Sequence, residues 1–340
     1  MYKRRDTVII SAGLFLLTLI VMLFSVGVGE SNIGAGKVIA ILTEPFIHQT
    51  PFWTGGEATI IREIRLPRII LGVLVGSCLA ISGAALQSLF RNPMADPFIL
   101  GISNGAALGA TIVFVYGASW ALSLYTLPVM SFILGIITII LVYNIGKMGN
   151  RVPVNTLLLS GIAISAFLSA INSFIMFTGG QNFEQIMFWM MGGLSGRGWD
   201  YIWIILPFAI IGAAAMIIMG RSMNALMFGE ESAQYLGIEV EKLKKILLVL
   251  TALLTSAAVA VSGIIGFVGL IIPHIVRLIV GPDHRVLIPV SIFAGAIFLV
   301  LADTFARVVM SPAELPLGIL TAMCGAPFFL YLLRSKRGEL

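Results

Sequence analysis

The chain has 340 residues, 59% of them hydrophobic and 11% charged. A water-soluble domain is about one-quarter charged, so this composition cannot cover a surface that faces water, and a soluble enzyme or binding module is excluded; a bilayer is the solvent that fits. The net charge of +5 does not point to nucleic acid, because the basic residues sit between apolar runs rather than on one polar face.

Lys3, Arg4 and Arg5 precede the uncharged stretch 8–29. That stretch is longer than the core of a cleaved signal and no small-x-small site follows it, so it predicts a retained first helix. Residues 31–63, with Pro45, Pro51 and the pair Gly55–Gly56, are expected to form an outer loop. A helix crosses the hydrocarbon in about 20 residues, and only structures that close their own backbone hydrogen bonds survive there. The uncharged runs 69–90, 97–146, 152–183, 201–220, 246–276, 286–302 and 315–333 are therefore read as helices. Run 97–146 is long enough for two, broken at Gly117, Ala118 and Ser119. Run 246–276 is split near Gly263 and Gly266, and its second helix continues past Arg277. The result is an all-α integral membrane protein of about ten transmembrane helices, a single domain spanning 1–340. The unbroken runs do not match the ten-residue alternation of a membrane barrel.

Two segments are not spans. Residues 185–196 are apolar but too short to cross, which predicts a helix lying at the outer face or re-entering the membrane, with Trp189 and Trp199 at the interface. Residues 221–245 predict two short helical pieces, broken at Phe228–Gly229 and stopped at Gly237. Leu226, Met227, Tyr235, Leu236 and Ile238 within them need a cover. A partner protein and the chain's own helix ends fit equally well from the periodicity.

Charge tests the count. With the N-terminus in the cytoplasm and the sides alternating, 15 of the 21 Lys and Arg residues fall inside, whereas the 16 acidic residues split evenly. This is the positive-inside pattern, and it places both termini in the cytoplasm of a multi-pass inner-membrane protein. Cys78 and Cys324 lie in apolar runs, and neither they nor the three histidines show a metal or disulfide spacing. No residue set suggests catalysis. No phosphate-binding loop of the form G-x-x-x-x-G-K-[ST] occurs, so ATP-driven work would need another polypeptide, and the chain is expected to bind no cofactor itself.

Polar residues inside the spans are few. Asn155, Ser160, Ser165, Asn172 and Ser173 give the fifth span a polar side, with Asn155 and Thr156 near its inner end, and Thr321 lies in the last span. They are candidates for a translocation path or gate; hydrogen bonding between helices explains each of them equally well. Buried carboxylates of the kind a proton- or sodium-coupled transporter uses are not evident, nor is the cluster a membrane-embedded enzyme would need.

The motifs Arg65-Leu66-Pro67-Arg68, GAALQSLFRNPMADPFILGISNGAALGA (83–110), GEESAQYLGI (229–238), GFVGLIIPHIVRLIVGPDHRVLIP (266–289), ADTFAR (302–307) and ELPLGILTAMCGAPFFLYLL (314–333) occur in order over 65–337. In this set the chain resembles the FecCD-type permeases, membrane subunits of importers for iron-siderophores, haem and cobalamin. The resemblance implies an inverted repeat of helices two to five and seven to ten. It implies a second copy of the chain enclosing a path for an iron chelate (siderophore or haem), with cobalamin as the alternative. Two ATP-binding cassette subunits holding ATP-Mg and an extracytoplasmic binding protein complete the implied assembly. By the same resemblance, Leu226, Gly229, Glu230, Glu231, Ala233, Tyr235, Leu236 and Gly237 belong to the coupling helices that meet the ATPase, and Arg65, Arg68 and Arg307 dock acidic groups of the binding protein.

Overall fold

The computed structural model describes residues 4–29, 31, 33–44, 47, 51–117 and 125–335. Pro45, the Ala118–Ser119 part of the expected break and the basic Lys3, Lys336 and Arg337 lie outside the described residues.

The first span is α1 (Arg4–Gly27). The expected outer loop is corrected: it holds two helices, α2 (Ala35–Thr43) and α3 (Gly55–Thr59). The reason is a capping box at Thr54, whose side chain accepts from the Glu57 backbone while the Glu57 carboxylate accepts from the Thr54 N–H. Helix α3 runs through a π turn (Ile60–Arg65) into α4 (Leu66–Leu89) without a break. Lys37 pairs with Glu57 at 2.7 Å, and Arg62 pairs with Glu44, so α2 is clipped to this approach.

A 3-10 turn (Pro97–Leu100), capped by Asp96, leads into α5 (Ile102–Tyr116). Then come α6 (Thr126–Gly146) and α7 (Val154–Gly179). Helix α8 (Phe183–Met190) is the short apolar piece, and α9 (Trp199–Ile218) follows. Helices α10 (Gly220–Met227) and α11 (Glu230–Tyr235) are the two pieces expected between spans. Gly229 and Gly237, at φ of 110° and 81°, make the break and the stop that a side chain would resist. The last four are α12 (Val240–Ser262), α13 (Val268–Val280), α14 (His284–Val309) and α15 (Leu317–Ser335). Among the described residues, seven helical stretches are long and apolar enough to span a membrane, and α5, α13 and α15 are shorter apolar helices. Together they make the ten expected, including the split between Ser262 and Val268.

The two halves repeat one another. α4 to α7 and α12 to α15 each run as a long helix, a shorter one, a second long one and a closing helix, α15 being shorter than α7. Packing follows the same rule in both directions: α4 lies against α14 as α12 lies against α6, with α4 and α12 in contact between them. Small residues set these seams, since membrane helices associate by close packing rather than by a hydrophobic drive. A Cβ added to Gly83 of α4 would sit 1.7 Å from the Gly269 carbonyl oxygen of α13. A Cβ on Gly76 would sit 2.3 Å from the Gly295 carbonyl oxygen of α14. By contrast α1 and α7 bury little of themselves and turn Leu16, Ile20, Phe167, Phe174 and Phe177 outward. Trp189 departs from its expected place at the interface; it is buried against Ala106, Ala107, Ala110 and Val259, because α8 folds back onto α5. Trp199, at the start of α9, donates from Nε1 to the Arg62 carbonyl at 3.2 Å.

Candidate functional site

At one end of the bundle, α10 and α11 divide their residues between two directions. Leu226 and Ala233 are buried, whereas Tyr235 is 92% and Leu236 69% exposed, with Phe228 beside them. Glu231 and Gly237 are also exposed. The sequence left open whether this segment covers its own helix ends or meets a partner. The geometry gives it an inner face that does the first and an outer apolar face available for the second.

The inner face is joined to the bundle by polar contacts. Lys244 of α12, 3% exposed, lies 2.7 Å from Glu230 of α11 and 3.0 Å from Glu241. Its Nζ also donates to the Val152 carbonyl at 3.3 Å, while the Val152 N–H donates to Glu241 at 3.0 Å. One buried ammonium thus ties α11, α12 and the α6–α7 turn together. The Ser88 hydroxyl at the end of α4 donates to the Met223 carbonyl of α10 at 3.2 Å. Asn224 of α10 donates to Asp283 at 2.6 Å and accepts from the His284 N–H at 2.7 Å, which joins it to α14. Hydrogen bonds from Arg285, followed by those from Asn224 and the Arg285 backbone, hold the Asp283 carboxyl well below the usual carboxylate range against the opposing effect of burial. In the α4–α5 turn the Asp96 carboxyl accepts from the Phe98 N–H at 2.8 Å, and burial pushes its pKa up to about 6.

At the other end stand the three arginines expected to dock a binding protein. Arg65, Arg68 and Arg307 are all buried, and each is bonded within the chain. Arg68 grips Asp303 from Nε at 3.0 Å to both oxygens and from Nη2 at 2.9 Å, and its Nη1 reaches Glu314 at 2.8 Å. Arg307 lies 3.2 Å from the same Asp303 and donates to the Val28 and Ser25 carbonyls. Arg65 donates to the Val26, Gly27 and Ser31 carbonyls. The physical reason is that Asp303 and the frayed end of α1 offer acceptors inside a low-dielectric seam, where an unpaired cation is costly. Of this cluster, Glu314 keeps more than a third of its side chain exposed. Burial alone would raise its carboxyl, but the bond and charge of Arg68 and a bond from Ser195 bring it below the usual range.

The polar residues of α7 divide. Thr156 donates to the Gly146 and Pro153 carbonyls, so it fixes the α6–α7 turn. Asn172 donates to the Asn104 carbonyl at 3.2 Å, and Asn104 donates to the Ser165 carbonyl at 3.3 Å. Ser160 is buried on the same inward side. Asn155 is exposed. Thr321 is buried and donates to the Gly318 carbonyl one turn back. Of the polar gate candidates, Asn155 and Ser173 are exposed, and Ser173 donates to the Ser169 carbonyl one turn back; the large exposed side chains around them are apolar, Leu159, Phe167, Phe174 and Phe177.

Sequence reasoning passed over Asp303, Glu314, Lys244 and Asn224. The nearest available signal was Asp303 itself, a carboxylate four residues before Arg307 in a segment otherwise apolar enough to span.

The FecCD transport family profile matches residues 17–335. The chain is 47% identical to the cobalamin import system permease BtuC of Halobacterium salinarum, over 82% of this chain and 74% of that protein. It is 40% identical to the hemin transport system permease HmuU of Yersinia pestis over 96% of each chain. It is 36% identical to the iron(3+)-hydroxamate import permease FhuG of Bacillus subtilis, over 97% of this chain and 98% of that one. A solved inward-facing structure, assigned to the metal-chelate type of ABC transporter, superposes with a TM-score of 0.83 at 32% identity, covering 96% of this chain and 99% of the other.

Proposed function

We propose, for a chain that belongs to the FecCD transport family, that it carries a bulky metal chelate across the cell membrane when ATP hydrolysis on a partner subunit pushes on α10 and α11. The chain is the membrane permease subunit of an ABC importer and not itself an enzyme. The observation that carries the coupling reading is the exposed Phe228, Tyr235 and Leu236 surface on two short helices joined by Lys244, Asn224 and Ser88 to four separate parts of the bundle. A load applied there reaches α4, α12, α14 and the α6–α7 turn together.

A second copy of the chain completes the path, with the open faces of α7 and α15 toward it. The apolar face of α7, with Asn155 at one end, suits a large cargo that passes without being tightly held. Thr156, Ser160, Ser165, Asn172 and Thr321 shape that wall from behind. A ferric siderophore or haem is the first reading of the cargo, in keeping with the haem and hydroxamate permeases above. Cobalamin is the second, favoured by the 47% identity to the Halobacterium protein. The α10–α11 end faces the cytoplasm, as do both termini. An extracytoplasmic binding protein meets the opposite face. There Arg65, Arg68 and Arg307 act by holding the ends of α1, α4 and α14 in place, and the exposed Glu314 is the charged group nearest to a docked partner.

Replacing Tyr235 by Ala together with Leu236 by Asp tests the coupling face. Both side chains are exposed, so the thermal midpoint should stay within about 2 °C, while the cognate ATP-binding subunit should no longer co-purify. Retention of that subunit by the double variant would overturn the assignment. Binding-protein-dependent uptake of a ferric chelate, haem and cobalamin into proteoliposomes holding the whole assembly decides the cargo.

A further inference from the structure

Beside α10 lies a cavity of about 550 Å³ away from the faces assigned above to coupling and cargo. Its walls come from four elements: Thr7 and Val8 of α1, Ile217 of α9, Arg221 of α10, and Asp283, Arg285 and Val286 where α14 begins. The chemistry is two-sided. One rim is cationic and polar, with Arg221, Arg285 and the Thr7 hydroxyl. The other wall is aliphatic, with Val8, Ile217 and Val286.

The cationic rim is incompletely neutralised. Asp283 takes Arg285 in a bidentate grip, at 3.0 and 3.1 Å from Nε and 2.6 Å from Nη2. Arg221 is exposed and has no ion-pair partner among the described residues. The aliphatic wall opens sideways rather than into the bundle: Val8 is 62%, Ile217 45% and Ile218 79% exposed, on helices long and apolar enough to span a membrane.

We infer that this cavity is a binding site for the headgroup of an anionic phospholipid, with its acyl chains lying on the exposed Val8, Ile217 and Ile218. A phosphodiester satisfies the guanidiniums by charge-assisted hydrogen bonds, and only a molecule carrying hydrocarbon covers the aliphatic wall as well. Basic pockets between spans at a membrane surface are where such headgroups are recognised. The site needs only that this end of the bundle lies at a membrane surface, so it stands apart from the choice of cargo and from the coupling reading. It has a consequence for coupling nonetheless. Gly220 at the start of α10 lies so close to His284 and Arg285 that an added Cβ would be 3.3 Å from their backbone. A headgroup held between α1, α10 and α14 would therefore steady the base of the coupling helices.

The test uses the full chain in mild detergent, incubated with phosphatidylglycerol or phosphatidylcholine and examined by native mass spectrometry. Wild type should retain phosphatidylglycerol in preference to phosphatidylcholine. Arg221→Gln should lower phosphatidylglycerol retention about five-fold, the worth of one basic residue at an anionic membrane surface, and adding Arg285→Gln should lower it further. Lys242→Gln, at an exposed position on α12 away from the cavity, should change nothing. Should the double variant fold poorly, Arg221→Gln alone decides, since that side chain is exposed. Unchanged phosphatidylglycerol retention in Arg221→Gln, or equal retention of the two lipids by wild type, would overturn the site. Full displacement of phosphatidylglycerol by millimolar inorganic phosphate would also overturn it, by showing a site for a free anion that makes no use of the acyl wall.

Discussion

Asp303→Ala offers the sharpest check on the Arg68–Asp303–Arg307 ion cluster. Asp303 is 2% exposed and is the one buried carboxylate between the Arg68 and Arg307 guanidiniums among the described residues. At about 4 Å and an effective dielectric constant near 20, each such pair is worth about 4 kcal/mol of gross attraction. The desolvation of three charges and the mutual repulsion of two arginines offset most of it. What remains measurable is the cost of stranding the cations, typically about 3–5 kcal/mol when one partner of a buried pair is removed. Here Arg68 would keep Glu314, and Arg307 would keep the Val28 and Ser25 carbonyls, so the expected loss is about 3 kcal/mol. Asp303→Asn keeps the shape and an acceptor and should cost about half as much. Arg307→Met added to Asp303→Ala should recover part of the loss, because it removes a stranded charge. The assay is reversible unfolding in mixed detergent micelles, followed by far-UV circular dichroism. A loss under about 1 kcal/mol for Asp303→Ala, or equal losses for Ala and Asn, would refute the electrostatic reasoning and leave packing as the cause.

Gly83→Ala should lower stability by at least about 2 kcal/mol in the same assay, because the new methyl meets the Gly269 backbone rather than a side chain that can turn away; a neutral result would mean that α4 and α13 are not in backbone contact. Lys244→Met should cost little stability, since Glu230 and Glu241 are each about one-third exposed and can be rehydrated. It should nevertheless lower binding-protein-stimulated ATPase activity several-fold by freeing α11 from α12, and unchanged stimulation would count against transmission through this contact. Asp96 supplies a pH dependence. Its folded pKa, about 6, lies above its value of 3.8 outside the fold. The folded chain therefore holds the extra proton between those values, and this residue's contribution to stability falls as pH rises from about 4 to 6. Asp96→Asn keeps the cap on Phe98 and should flatten that part of the stability–pH curve; an unchanged slope would disprove the shift.

What the sequence reveals of the fold depends on the range of the interaction concerned. Span positions follow from the apolar runs alone, and even the division of 246–276 was readable, because Gly263 and Gly266 interrupt a stretch too long for one crossing. The two-piece form of 221–245 was equally local: Gly229 and Gly237 punctuate it, and the apolar residues between them have nowhere to go. A local signal was also overlooked, since Thr54-Gly55-Gly56-Glu57 announces a helix start inside what composition suggested was a loop. The arginines are a case of another kind. Their positions at helix ends were right, but the acceptor that turns Arg68 inward lies 235 residues away, and no spacing rule reports it. The same holds for Trp189, whose amphipathic ring suits an interface until α8 folds back onto the small residues of α5. Residues defined by partners distant in sequence are the ones that fasten each end of the bundle: Asp303 with Arg68 and Arg307 at one end, Lys244 with Glu230 and Val152 at the other. Between those ends the seams are set by glycine contacts with no spare volume. On the coupling reading proposed above, a push at Tyr235 and Leu236 would therefore act on α4, α12 and α14 together, whereas α7, with only 22% of its apolar window buried, is held by fewer of these contacts.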